Sequence, residues 1–218
     1  ESRIRVIYNA VDPDVTSPAQ RIEDRRTIRQ EYGVGDGDLL VILVAHNYRL
    51  KGVACWLEAL SLLVREGATP IQSLVIGKNH SARWDHAARR LGVQDRVRFV
   101  GPSSRVAAFM HAADALVHPT YYDPCSRVVL EGMVSGLACV TTRWDGASEV
   151  IRDGVSGLIL DEPGDAGALA ARVRTLNDPD VRRNLAAHAA QVAPAVSMAR
   201  HAREMIELYQ ALVRREAG

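Results

Sequence analysis

Six short runs of this chain are apolar at nearly every position rather than at alternate ones: Leu39–Ala45, Ser73–Gly77, Val97–Gly101, Ala115–His118, Leu137–Thr141 and Gly157–Leu160. A strand with one wet face alternates. A run without alternation predicts a strand covered on both faces, as in a parallel sheet. Segments of helical period fall between them, near residues 52–66, 81–91, 104–113, 126–135 and 146–152, and Gly67 and Gly92 stand where helix C-termini take a left-handed residue. Repeated strand–helix alternation predicts parallel crossovers and an α/β fold, a Rossmann-like doubly wound sheet of about six strands. The last third changes character, and Asp165–Leu176, Pro179–Gln191 and Ser197–Arg215 read as helices. Asp165 and Ser197 suit N-caps, and Pro179 suits a first turn. Ahead of the first buried run, Ile4–Tyr8 reads as a short strand and Asn9–Pro18 as an Asp/Pro-rich turn; a helix then opens at Ser17-Pro18 and closes at Gly33. Residues 1–17 therefore read as an interdomain connector and residues 18–218 as one ligand-binding domain.

Composition narrows the ligand. The chain has 218 residues, and 27 Lys+Arg against 26 Asp+Glu leave a net charge of +1, with no excess to attract nucleic acid or an anionic membrane. Aromatic residues make up 5% and include two Phe, too few for a single-strand stacking platform. Cys55, Cys125 and Cys139 are widely spaced and the histidines show no ligand spacing, so neither a disulfide framework nor a zinc site is expected, and a reducing cytoplasm is. No apolar run approaches the roughly 18 residues of a membrane span. Glu1 is neither an initiator Met nor part of a signal peptide, which reads as the edge of a longer chain. The final helix mixes Arg200, Arg203, Arg214 and Arg215 with Glu204, Glu207 and Glu216, which favours a solvated face or a domain contact over a membrane surface. Arginine outnumbers lysine so heavily that Lys51 and Lys78 are the only lysines, and each follows a strand-like run.

A doubly wound sheet binds ligands beyond the carboxyl ends of its strands, where strand order reverses. With the order 3-2-1-4-5-6, the loops at that point are His46–Gly52 (HNYRLKG) and Pro119–Ser126 (PTYYDPCS). Arg49 and Lys51 ahead of a helix start suit a diphosphate. Neither GxxxxGK[ST] nor a GxGxxG after a strand is present, which excludes a P-loop and argues against a dinucleotide oxidoreductase. In the second loop Asp123 precedes a helix that carries Glu131. A loop carboxylate accepts hydrogen bonds from sugar hydroxyls, while amides at a helix start bind phosphate. Ser126 reads as an N-cap rather than a nucleophile, and paired carboxylates of a hydrolase are an alternative that the neighbouring cations disfavour. Gly77-Lys78-Asn79-His80 can approach a ligand or form a plain turn. Asp12-Pro13-Asp14 has the spelling of a metal site in a connector turn, and His118 reads as a strand-end residue.

These residues carry a resemblance. RVIYNAVD (5–12), VAHNYRLKGV (44–53), LGVQDRVRFVG (91–101) and AADALVHPTYYDPCSRVVLEGMVSGLACVTT (112–142) resemble the connector, first phosphate loop, base-pocket segment and two-acid motif of the family 4 retaining glycosyltransferases. The likeness is to the C-terminal, nucleotide-sugar-binding half of their GT-B fold, and the overall look is closest to lipopolysaccharide-core glucosyltransferases. It implies that Arg49 and Lys51 hold the donor diphosphate and that Asp123 contacts the donor sugar. Glu131 would hydrogen-bond the ribose, and the amides near Val128–Leu130, Val129 and Leu130 among them, would meet the phosphate, with Ser126 a further donor-binding residue. The backbone of Arg98, Val100 and Gly101 would line the base site, and Gly77 is a further donor-binding candidate. The family's usual first acid is Glu where Asp123 stands, its Gly-Phe-Gly is Pro124-Cys125-Ser126, and its Gly-Arg is Ala45-His46.

The resemblance implies an anomer-retaining transferase that uses a nucleoside-diphosphate sugar, UDP-glucose by preference, without a metal or other cofactor. The acceptor would be a glycan or lipid-linked saccharide bound by an N-terminal half, with peripheral membrane contact in the full-length protein. A non-catalytic nucleotide-binding module and a sugar-nucleotide epimerase of the same fold are the alternatives.

Overall fold

The structure is a computed structural model that describes residues 4–12, 14–67, 70–78 and 81–216, the last two by backbone only. Six parallel strands, β1 (Leu39–Val44), β2 (Ile71–Ile76), β3 (Val97–Gly101), β4 (Ala115–His118), β5 (Ala138–Thr142) and β6 (Leu158–Leu160), lie in the order β3-β2-β1-β4-β5-β6. The order reverses between β1 and β4, as the sequence anticipates. β1 is buried almost throughout, which is why its pattern does not alternate. Side chains on one sheet face pack under α2 (Val53–Arg65), α3 (Ala82–Leu91) and α6 (Ala166–Thr175). Those on the other pack under α1 (Pro18–Glu31), α4 (Val106–Ala112) and α5 (Arg127–Val134). Helix α7 (Pro179–Ala190) closes the edge, with Leu185 in the first cluster and Ala189 in the second. Helix α8 (Met198–Glu216) completes the chain.

Helix starts follow local chemistry. Ser17, Ser126, Asp165 and Asp178 each accept a hydrogen bond from an amide of the first turn, and Pro18 and Pro179 sit where no amide bond is needed. Ser197 Oγ likewise accepts from Arg200 N. Gly92 ends α3 with φ of 71°.

Two expectations are corrected. Ile4–Tyr8 forms no strand: Ile4 and Val6 are exposed, and the first β-bridge of the segment is that of Val11 with Ser197. Alternating Ile4 and Val6 imitate a half-buried strand, yet neither edge of the sheet receives them. The segment expected to be helical at 146–152 is a 3-10 turn, Gly146–Val150, whose N-cap Asp145 already serves the neighbouring loop. Asn79 and His80 lie outside the described residues, as does Pro13.

Candidate functional site

The two loops at the strand reversal press directly on one another. Gly52 has φ of 73°, and a Cβ there would lie 2.0 Å from Pro119 O, so only glycine permits the approach. Tyr121 N donates to Leu50 O at 2.9 Å across the same seam. Lys51 reaches over it: Nζ donates to Asp123 Oδ2 at 2.6 Å and to Tyr122 O at 3.2 Å. His118 Nε2, at the buried end of β4, lies 3.4 Å from the same carboxylate oxygen, and neither ring nitrogen makes a well-formed hydrogen bond among the described residues. Burial alone would raise the Asp123 pKa. The contact with His118 and the hydrogen bond of Lys51, with the lysine charge, outweigh it and hold the carboxyl down at about 2.

A second acid, Asp145, shapes the loop from below. It is wholly buried, and Oδ1 accepts from Ser126 N at 2.9 Å and Ala147 N at 3.0 Å while Oδ2 accepts from Thr141 Oγ1 at 2.8 Å. Asn9 of the connector adds a bond from Nδ2 to Cys125 O at 2.8 Å. The start of α5 is thus pinned on several sides. Ser126 Oγ takes the amide of Val129 and Ser126 O that of Leu130, so two of the amides expected to meet phosphate, over Val128–Leu130, are engaged within the helix. The amides of Arg127 and Val128, first and second in the helix, have no partner among the described residues, so Val128 is the one of the expected amides left open.

Two hollows flank this centre. On the α4–α5 side, one of about 360 Å³ is lined by Glu131 with Asp12, Asp14 and Thr16. Burial raises the Glu131 pKa, Arg127 at 3.7 Å opposes the shift, and Asp12 adds to it. On the α2–α3 side, one of about 670 Å³ is lined by Arg49, Leu50, Arg83, Trp84 and Tyr121.

The Glycosyl transferases group 1 family profile matches residues 24–192, most of the chain. The chain belongs to that family. The glycosyltransferase domain is 29% identical over 161 residues to the lipopolysaccharide glucosyltransferase WaaG of Escherichia coli K12, a match covering 74% of this chain and 43% of that protein. It is 27% identical over 221 residues to a D-inositol 3-phosphate glycosyltransferase of Corynebacterium urealyticum, covering 97% and 52%. The crystal structure of HepE of Anabaena with UDP-glucose superposes with a TM-score of 0.82 at 25% identity, over 95% of this chain and 57% of that one. That of WaaG gives 0.76 at 26% identity, over 87% and 52%. The fold is thus that of GT-B glycosyltransferases, and the chain spans about half the length of the curated relatives it matches.

Within this glycosyltransferase domain, the structure joins some anticipated residues and separates others. Lys51 and Asp123 meet. Arg49 does not join them, because Asn47–Gly52 is a helical turn, with Lys51 N donating to Asn47 O, and residues two apart on such a turn point in different directions. Gly77 is occupied internally: its amide donates to Gly101 O, its carbonyl accepts from Tyr48 Oη, and a Cβ would lie 1.6 Å from Ala45 O. Arg98 bonds back to Gln94 O and lines a different hollow beside α3, whereas Val100 packs with the α4–α5 face. Of the base-pocket segment, the Val100 side chain therefore lies on the α4–α5 face of the sheet and that of Arg98 in the hollow beside α3. Asp14 accepts from Thr16 N and pairs with Arg21 and His111, so that connector acid is tied into the fold. Among the described residues no group of three or more His, Cys, Asp and Glu is placed to hold a metal, and no helix is long and apolar enough to cross a membrane. Asp145 and the contact of His118 with Asp123 went unread in the sequence. The only local signal for Asp145 is an acid four residues beyond Thr141, at the end of a buried strand.

Proposed function

We propose that this domain is the donor-binding half of a retaining, family 4 glycosyltransferase that uses a UDP-glucose-type donor and a glycan or lipid-linked acceptor. The observation that carries the reading is the Lys51–Asp123 pair at the strand reversal, beside the two uncommitted amides of α5. In this reading Lys51 and the amides of Arg127 and Val128 take the diphosphate. The carboxylate of Asp123 accepts from a sugar hydroxyl, and Glu131 on the α5 flank accepts from the ribose. Positive charge fixed at the diphosphate stabilises the leaving group as the glycosidic bond breaks. HepE, crystallised with UDP-glucose, and WaaG, a lipopolysaccharide glucosyltransferase, support that choice of donor and acceptor class. The second half of the cleft would come from chain beyond this domain. Ile4 and Val6 of the connector and Ile206, Tyr209 and Val213 of α8 present exposed apolar side chains suited to meet it. The proposed cations are side chains, so binding needs no metal.

The test compares UDP with UDP-glucose by calorimetry in wild type and Asp123→Asn, with and without EDTA. The variant should bind UDP within about threefold of wild type and UDP-glucose about tenfold more weakly, the scale of one hydrogen bond to a charged group. EDTA should change neither. Equal loss of both ligands would contradict the sugar role, and loss with EDTA the metal-free site.

A further inference from the structure

The hollow on the α2–α3 side has a chemistry that the donor reading does not use. Arg49, Lys78 and Arg83 are exposed, and none has an ion pair or a side-chain hydrogen bond to protein among the described residues. Arg83 is steadied by a ring instead, its guanidinium carbon 4.4 Å from the centroid of the buried Trp84. That leaves its N–H edges uncommitted. Arg49 and Arg83 border both the hollow of about 670 Å³ and an adjoining one of about 370 Å³ that adds Lys78 and Ser81. The larger has an apolar floor of Leu50, Ala54 and Trp84 and one wall in Tyr121, which is 45% exposed. Volumes of this order hold small organic ligands.

Cations without partners, converging from three segments, call for a ligand of high negative charge density. Forked guanidinium groups match phosphate oxygens, and the lysine adds a point charge. An exposed tyrosine ring beside them suits the C–H face of a sugar. Position narrows the role further. Tyr121 and Leu50, which line the hollow, are the residues that bond across the seam, so the hollow borders the seam that Lys51 and Asp123 span, on the α2–α3 side.

We propose that this hollow is a second anion site, which holds a phosphomonoester on a saccharide acceptor while the donor occupies the Lys51 site. The proposal rests on the donor reading only for the identity of the other ligand. It has consequences of its own for the chain: Arg49 serves the acceptor rather than the donor diphosphate, and acceptors lacking the phosphate are poor ones.

Calorimetry on the chain saturated with UDP tests it, with glucose 6-phosphate, inorganic phosphate and glucose as separate titrants. Glucose 6-phosphate should bind, inorganic phosphate should bind about tenfold more weakly, and glucose should not bind. The double variant Lys78→Gln, Arg83→Gln changes exposed side chains, so it should fold normally. It should lose glucose 6-phosphate affinity by about tenfold or more while keeping UDP affinity within about twofold. Arg83→Lys, which keeps charge but not the fork, should fall between. Competition between UDP and glucose 6-phosphate would assign the hollow to the donor and overturn the proposal. Undiminished binding in the double variant, or equal binding of inorganic phosphate, would overturn it too. Failure of UDP to bind at all would instead count against the donor reading. The glucose 6-phosphate titrations of wild type and variant, run without UDP, would still decide whether the hollow binds a sugar phosphate.

Discussion

The two flanks of the crevice rise from the same device, a strand running into a loop and a helix, and they carry opposite charge. On the α4–α5 flank the groups are carboxylates, Asp12, Asp14 and Glu131, while on the α2–α3 flank they are Arg49, Lys78 and Arg83. They also differ in how they are held. Burial would raise the Asp14 pKa, but hydrogen bonds from Thr16 and His111 and the charge of Arg21 keep it below the usual carboxylate range. Among the described residues the cations have no such partners, and stacking on Trp84 steadies Arg83 alone. Between the flanks, Lys51 and Asp123 neutralise one another at the seam. An arrangement with hydrogen-bond acceptors on one side and cations on the other suits ligands of unlike charge: sugar hydroxyls where the acids are, phosphate where the cations are.

The divider depends on Asp145, so its removal is the most damaging way to break the contrast. Asp145→Ala leaves the amides of Ser126 and Ala147 and the hydroxyl of Thr141 without an acceptor in a dry interior. Losing a buried, fully bonded carboxylate costs about 3–5 kcal/mol. Urea unfolding should show the free energy of unfolding falling by that amount, and the midpoint falling with it, with both flanks losing their ligands together.

Acid titration addresses the seam itself. The folded pKa of Asp123, about 2, lies below its unfolded value of 3.8. Its contribution is therefore fully present above the unfolded pKa and is lost as pH falls through about 4 toward 2. The shift corresponds to about 2 kcal/mol. Unfolding free energies measured between pH 6 and 2 should fall less steeply for Asp123→Asn than for wild type. Identical slopes would mean that the Lys51–Asp123 contact adds nothing to stability.

These two cases mark how far the sequence could be read. Unbroken apolar runs betray strands buried on both faces and so a parallel sheet, but the strand order is not local information: 3-2-1-4-5-6 is the common choice for such a sheet, and the structure has it. The connector misled because Ile4 and Val6 alternate as a strand would, although no strand edge is there to receive them. Lys51 and Asp123 were both visible as charged loop residues. Their pairing spans 72 positions and exists only because Gly52 lets the loops touch. Arg49 and Lys51 looked like one site because they are close in sequence. A helical turn separates what a linear reading joins.

The smallest expected effect lies on the acidic flank. Burial raises the Glu131 pKa, so ionising it opposes folding, and the penalty appears as pH rises through the folded value. Its side chain remains partly exposed, which limits the size. Glu131→Gln should therefore leave the domain equal or slightly more stable at neutral pH, by less than about 1 kcal/mol, while weakening UDP through the ribose. Thermal unfolding with and without UDP would separate the two effects. A clear loss of stability in the ligand-free variant would contradict the assignment.

The division between flanks is tested most directly by UDP affinity in two single variants, Lys51→Ala and Arg49→Gln, measured side by side by calorimetry at one salt concentration. Lys51→Ala should weaken UDP by about tenfold or more, the scale of one charge-assisted hydrogen bond, and Arg49→Gln by no more than about threefold. Equal losses in the two variants would place both cations on the donor diphosphate and contradict the separation of the flanks.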